Sequence, residues 1–277
     1  MEKDLKTVLS ECGFGFKKKF GQNFITDKNL LNSIVAQAGV GAGDTVLEIG
    51  CGAGTLTKAL SERAKKVISF EVDQTLKPVL AQTLAGVENA EVIFKDFLKV
   101  NLTELERETG EYCVVANLPY YVTTPLIMKL LDEGKLVKSI TVMVQEEVAL
   151  RLCAKENTAD YGAITAVIAL RASAETVKRV PRTMFTPRPN VDSAVVKLTI
   201  EDGRLLVKDP ALYKKTVHAA FSSRRKTLEN NLVNAFGLTR AVAQSVLNDC
   251  GIDLKARGET LSPEQFAILS DRISEIL

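Results

Sequence analysis

Thr45-Val46-Leu47-Glu48-Ile49 runs straight into Gly50-Cys51-Gly52-Ala53-Gly54 and then into the helical pattern of 55–63. The first five residues form an apolar run of strand length, and the glycines let the backbone turn sharply and approach a ligand closely. Strand, glycine turn and helix in that order open a βαβ unit. The spacing is GxGxG, without the last step of the GxGxxG fingerprint of dinucleotide sites. A glycine turn taken alone is often only a turn, so its meaning rests on the segments around it.

Outward from this stretch, strand and helix patterns alternate. Upstream, Asp27 reads as the N-cap of a helix that carries Leu30, Leu31, Ile34, Val35 and Ala38 at helical spacing. Downstream, apolar runs at 67–70, 91–94, 112–116 and 140–144 are separated by helical segments, among them 74–84 and 124–131. The alternation predicts an α/β fold with a Rossmann-like parallel sheet covered on both faces. Two more β-rich runs, 163–172 and 193–200, predict an antiparallel edge. Past Lys208 only helical patterns remain, at 210–221, 226–236, 240–248 and 263–277. The Glu201-Asp202-Gly203 turn therefore separates an α/β domain at 1–203, with a basic N-terminal arm, from a small all-helical domain at 204–277.

Chemistry-bearing residues stand where these strands end. Glu71 follows the second run, 21 residues past Gly50, where a carboxylate accepts both hydroxyls of a ribose. Asp96 follows the third and can accept from an adenine amino group. Glu48 can face the same ligand from the first. The fourth run closes on Asn117-Leu118-Pro119-Tyr120. The proline removes a donor and keeps Leu118 extended, so the Leu118 carbonyl stays out of any helix. An amide and a carbonyl beside an aromatic ring suit a flat base with an exocyclic amine. The same tetrapeptide also occurs as plain punctuation; the ordered set of strand ends argues for a site.

Composition bounds the class. The chain has 277 residues, 46% hydrophobic and 25% charged, ordinary for a globular protein of one large and one small domain. No run approaches the roughly 18 apolar residues of a membrane span, and the start, with Glu2, Asp4 and Glu11, carries neither a signal peptide nor a presequence pattern. Five scattered cysteines without CxxC spacing read as reduced thiols of a cytoplasmic protein, and with one histidine, His218, no metal site is expected. The net charge is +2, but between Arg171 and Lys226 there are 13 Lys/Arg and 5 Asp/Glu. That unevenness points to a polyanionic partner.

The glycine turn, Glu71, Asp96 and Asn117 resemble the site of a Rossmann-like S-adenosylmethionine-dependent methyltransferase; dinucleotide binding is the rival reading. The resemblance narrows with Phe20-Gly21-Gln22-Asn23-Phe24, Phe185-Thr186-Pro187-Arg188-Pro189-Asn190-Val191-Asp192-Ser193-Ala194-Val195, Phe221-Ser222-Ser223-Arg224-Arg225-Lys226-Thr227-Leu228 and Glu259-Thr260-Leu261-Ser262-Pro263-Glu264-Gln265-Phe266. From about Lys17 to the C-terminus the chain resembles the rRNA adenine N6,N6-dimethyltransferase family, in its KsgA (RsmA) branch, the last two segments favouring that branch over the related Erm methylases. Cys51 replaces a usual proline and Tyr121 a common asparagine.

The resemblance implies S-adenosylmethionine as cofactor, held by Asn23, Ile25, Gly50, Gly52, Glu71, Asp96 and Asn117. It implies Asn117, Leu118 and Tyr120 as catalytic residues, with Phe185 on the second face of the base. The substrate implied is a pair of adjacent adenosines near the 3′ end of small-subunit 16S rRNA, reached in an immature subunit. Lys17, Lys18, Lys19 and a helix start at Arg224, Arg225 and Lys226 are the expected RNA contacts. Absent a coiled coil, a monomer is expected, without DNA or membrane as partner. Rival functions are an assembly factor that mainly binds the particle, an Erm-type large-subunit methylase and a DNA adenine methyltransferase. Product analysis on RNA separates them.

Overall fold

The computed structural model describes residues 4–17, 21–119 and 122–277. The chain divides into two compact units, Met1–Ala149 with Glu175–Ile200, and Leu150–Ala174 with Glu201–Leu277.

The first unit is built on nine strands, of which β7 begins in the second: β1 (Phe24–Ile25), β2 (Thr45–Ile49), β3 (Lys66–Glu71), β4 (Ala90–Phe94), β5 (Tyr112–Asn117), β6 (Val137–Gln145), β7 (Ala172–Val180), β8 (Phe185–Thr186) and β9 (Ser193–Ile200). Seven form one sheet in the order β4-β3-β2-β5-β6-β9-β7. The strands from β4 to β6 run parallel, and β9 pairs antiparallel with β6, from Ser139↔Thr199 to Gln145↔Ser193. All five expected parallel strands and the antiparallel Ser193–Ile200 strand are present. Chain order reverses between β2 and β5, which makes their carboxyl ends the switch point where open α/β sheets bind ligands.

The helices of this unit are α1 (Leu5–Glu11), α2 (Lys28–Ala38), α3 (Thr55–Ser61), α4 (Lys77–Thr83), α5 (Leu102–Thr109), α6 (Thr123–Glu133) and α7 (Glu146–Leu152), the last crossing the division. Asp27 caps α2 by accepting from Leu30 N, and Gly39 ends it in the left-handed region. The apolar face of α2 packs into a cluster with Val46, Leu60, Val67, Val115 and Val195 from the sheet and α3. A second cluster joins Leu5, Val8 and Leu9 of α1 to Leu76, Val79 and Leu80, and to Phe24, Cys51 and Ala53. α1 thus shares one apolar cluster with Cys51 and Ala53 of the glycine turn.

The second unit contains α8 (Ala163–Ile168), α9 (Pro210–Ala220), α10 (Leu228–Phe236), α11 (Arg240–Asp249) and α12 (Pro263–Ser274). The expected strand at 163–172 is therefore a correction: its first six residues are helical, and β7 begins only at Ala172. The run Ala163-Ile164-Thr165-Ala166-Val167-Ile168 is apolar throughout and carries no period that separates strand from helix. Packing decides, because α8 buries Thr165, Ala166, Val167 and Ile168 and lies against α9 and α12. The Tyr213 hydroxyl donates to Ala166 O at 2.8 Å, and that of Tyr161 to Leu261 O at 2.9 Å. For the same reason the second unit takes residues 150–174, which a single boundary at 203 gives to the first.

Candidate active site

At the switch point lies a cavity of about 540 Å³, within the range of small-molecule sites. Its lining includes Asn23, Ile25, Glu48, Gly50, Gly52, Glu71, Asp96, Asn117 and Leu118. Every residue expected to hold the cofactor is there.

The glycine turn is held by the neighbouring strand, Gly50 N donating to Phe70 O at 2.8 Å. Gly50, Gly52 and Gly54 all have positive φ, at 76°, 53° and 82°. Gly52 is the most constrained of them: a Cβ there would stand 2.8 Å from Phe24 Cε1. Its N–H donates to Glu71 Oε2 at 2.9 Å. The other oxygen, Oε1, accepts from Val72 N and Asp73 N, both at 2.8 Å. Burial raises the Glu71 pKa, and those three backbone donors oppose the shift. A carboxylate has about four acceptor positions, so one of Oε2 remains for a ribose hydroxyl.

Asp96 caps the short turn 97–99 through Oδ1, accepting from Leu98 N at 3.0 Å. Val72 and Leu98, both exposed, stand on the lining beside Glu71 and Asp96 and supply apolar walls for a flat ring. The set fits an adenosine: one acid for the ribose, one for the amino group, and walls between.

Asn117 ends β5, and its Nδ2 donates to Asn23 O at 3.0 Å. That bond fixes the amide and, among the described residues, leaves Oδ1 and the second Nδ2 hydrogen without a partner. Leu118 N continues the ladder to Met143 O at 3.3 Å, while the Pro119 carbonyl is taken by Val122 N and Thr123 Oγ1. Among the described residues nothing donates to the Leu118 carbonyl. Two acceptors are thus presented together at the end of β5. Tyr120, Lys18 and Lys19 lie outside the described residues.

Three groups of expected residues have other placements or partners in the structure. Phe185 does not line the cavity; it is 4% exposed, pairs with Ile25 in the β1–β8 ribbon and packs into the core of α2. Lys17 is committed elsewhere: its Nζ meets Asp73 Oδ1 and Thr75 Oγ1, each at 2.7 Å, and Gln22 Nε2 meets Asp73 Oδ2 at 2.9 Å. Burial opposes ionisation of Asp73, yet these bonds outweigh it and hold its pKa at about 2. Arg224, Arg225 and Lys226 precede α10 rather than starting it, because the Thr227 side chain caps the helix by accepting from Asn230 N. They form an exposed turn whose base is braced by Asn231 Nδ2 donating to Ala220 O and Ser223 O.

Cys51 and Glu48 also line the cavity. Burial pushes the Cys51 thiol well up, reinforced by the Glu48 and Glu71 charges, so it stays a neutral wall of the glycine turn. Glu48 is fully buried, accepting from Thr57 Oγ1 at 2.5 Å and Ser69 Oγ at 2.6 Å. The Lys17–Asp73–Gln22 latch and the Phe24 prop under Gly52 had no signal in local patterning.

Residues 13–275 match the family model for ribosomal RNA adenine dimethylases. A ribosomal RNA small subunit methyltransferase A of Bacillus licheniformis is 47% identical over 291 residues, covering 100% of both chains. One of Bacillus cytotoxicus is 47% identical over 276 residues, 97% of this chain and 94% of its own. Among solved structures, a dimethyladenosine transferase from Plasmodium falciparum aligns with a TM-score of 0.76 at 26% identity, covering 89% of this chain and 95% of its own. The 23S rRNA methyltransferase ErmE aligns at 0.70 and 28%, covering 91% and 100%.

Proposed function

The chain belongs to the ribosomal RNA adenine dimethylase family, and on that premise we propose that it dimethylates N6 of two adjacent adenosines in the 3′-terminal hairpin loop of 16S rRNA. The cofactor is S-adenosylmethionine, and the substrate is the RNA of an immature small subunit in the cytoplasm. The observation that carries this reading is the acceptor pair at the end of β5. Asn117 Oδ1 and the Leu118 carbonyl stand over a cavity that fits an adenosine, and the Asn117 amide is fixed by Asn23.

An adenine N6 lone pair is delocalised into its ring and is a poor nucleophile. Accepting its two N–H bonds at Asn117 and Leu118 favours a more tetrahedral nitrogen and aims the lone pair, a contribution of positioning. Bound S-adenosylmethionine supplies a methyl group on a sulfonium leaving group. Glu71 and Asp96 hold its ribose and amino group, and the Gly50–Gly52 turn admits its tail against the backbone. No strong base is required, because the N6 proton becomes acidic once the methyl arrives and passes to water. The base leaves its stack to reach this point. Tyr120, next to Pro119 in sequence, is the expected ring against it, with stacking worth about 1–3 kcal/mol.

In the second unit, the exposed turn Arg224-Arg225-Lys226 is assigned to RNA phosphates, so affinity falls steeply as salt rises. The test is incubation of the protein with labelled S-adenosylmethionine and small subunits lacking the modification, followed by digestion to nucleosides. N6,N6-dimethyladenosine in 16S rRNA is expected. Label confined to large-subunit RNA, or particle binding without label, overturns the assignment.

A further inference from the structure

Gly21, Gln22 and Asn23 line the cavity but belong to no helix or strand. Two side chains from the sheet fasten this wall. Asn117, at the end of β5, donates to Asn23 O at 3.0 Å. Asp73, two residues past the end of β3, accepts from Gln22 Nε2 at 2.9 Å. In the sheet β3 and β5 flank β2, whose end carries the glycine turn. Gln22 and Asn23 therefore bridge the end of β2, tied on the β3 side by Asp73 and on the β5 side by Asn117.

Asp73 is 3% exposed and is not among the residues that line the cavity. Its Oδ1 takes Lys17 Nζ and Thr75 Oγ1, each at 2.7 Å, and Thr75 N at 3.1 Å. Gln22 is the partner of Oδ2, and the Gln22 Oε1 atom accepts in turn from Lys17 N at 2.9 Å. The Asp73 backbone N–H donates to Glu71 Oε1 at 2.8 Å. One residue thus braces both the carboxylate assigned to the ribose and the wall that carries Asn23. A tie between a carboxylate and a neutral amide is a charge-assisted hydrogen bond, stronger than the bond at the Asn117 end.

We propose that Asp73 is a positioning residue for the cofactor, acting through Gln22: it holds the Gln22-Asn23 bridge in its binding arrangement before a ligand arrives. The proposal rests on the methyltransferase reading above. A loose wall must be ordered when a ligand binds, and that ordering lowers affinity. The cost is the same for S-adenosylmethionine and for S-adenosylhomocysteine, because it is paid by the protein. A tie of this kind raises affinity for donor and product alike and adds nothing in the transition state. Asn117 keeps the other end of the bridge and the acceptor for the base, so turnover at saturating donor depends little on Asp73.

The test is calorimetric titration with S-adenosylmethionine and S-adenosylhomocysteine, joined to steady-state kinetics, on the wild type, Asp73→Asn, Gln22→Glu and the double variant. In Asp73→Asn, whichever way the new amide turns, its NH2 meets a donor, either Gln22 Nε2 or Lys17 Nζ with Thr75 N. Both ligands should bind at least about tenfold more weakly, the scale of a lost charged hydrogen bond. The donor KM should rise in step, with kcat at saturating donor changed less than about threefold. Gln22→Glu sets two carboxylates together and should weaken both ligands as well. In the double variant the amide at position 73 donates to the carboxylate at position 22, which still accepts from Lys17 N and keeps one negative charge in the cluster. It should bind both ligands within about threefold of the wild type, two damaging changes combining into a mild one. A double variant no better than Gln22→Glu alone overturns the proposal. So does Asp73→Asn with a lower denaturation midpoint but unchanged affinities, or with a loss confined to kcat. If Asp73→Asn does not fold, the comparison of Gln22→Glu with the double variant decides. A wild type that binds neither ligand refutes the methyltransferase reading instead.

Discussion

The side-chain amide of Asn117 donates to the backbone carbonyl of Asn23 at 3.0 Å, across 94 residues of sequence. On the proposed reading, one side chain both offers an acceptor to the target base and anchors the loop at Asn23 that borders the cavity. Asn117→Ala removes both roles. Methyl transfer is expected to fall by at least about a hundredfold, the scale of a lost positioning contact. Donor affinity, measured by calorimetry, is expected to fall as well. Asn117→Asp keeps an acceptor for the base but loses the bond to Asn23 and sets a charge against its carbonyl. It should lose donor affinity at least as strongly while retaining more turnover at saturating donor. An alanine variant with wild-type turnover removes Asn117 from the mechanism.

Gly52→Ala meets two obstacles. The positive φ costs a side chain about 1–2 kcal/mol, and the new Cβ collides with the Phe24 ring. The turn must shift, taking the Gly52 N–H away from Glu71. Donor affinity is expected to drop at least tenfold with little change in thermal stability of the second unit. Phe24→Leu combined with Gly52→Ala should recover part of the loss, since the ring is the obstacle. Two additive losses in a double-mutant cycle contradict that account.

Phe185 distinguishes packing from stacking. Truncating a buried phenylalanine costs about 3–5 kcal/mol. Phe185→Ala is expected to lower the denaturation midpoint accordingly, through loss of contact with Ile25 and the α2 cluster. A variant of unchanged stability but reduced transfer restores the ring to the base.

Lys17 stands with Lys18 and Lys19 among the expected RNA contacts of the arm, and its Nζ is held by Asp73 and Thr75. The legible part of the site consists of residues whose meaning is local: glycines after a strand, acids at strand ends, a tetrapeptide closing an apolar run. Each follows from where one element stops. The partners of Lys17, Phe24 and Asn117 lie 56, 28 and 94 residues away and have no such signature. The helix at 163–168 escaped for a related reason, because its apolar run is uniform and only the packing of α8 on α9 and α12 selects helix. Lys17→Ala leaves the 3% exposed Asp73 without its cation and should destabilise the protein by about 1–3 kcal/mol at neutral pH. Asp73 has a depressed pKa, so its contribution is present above about pH 4 and lost as pH falls toward 2. The gap between variant and wild type should close over that window, and the salt slope of RNA binding should not change.

Glu48 makes the opposite prediction for stability. Its folded-state pKa of about 7 lies above the ordinary carboxylate value of 4.5, so the folded protein holds the proton more tightly than the unfolded chain. Stability then falls as pH rises from about 4.5 to 7, and the full penalty stands above 7. A shift of that size corresponds to a cost on the order of 3 kcal/mol. Glu48→Gln keeps the shape and the acceptor for Thr57 and Ser69 without the charge. The cofactor-free variant should match the wild type near pH 4 and exceed it at pH 8, read as a rise in the denaturation midpoint. A variant less stable than the wild type at pH 8 would show that the carboxylate already has its compensation within the fold.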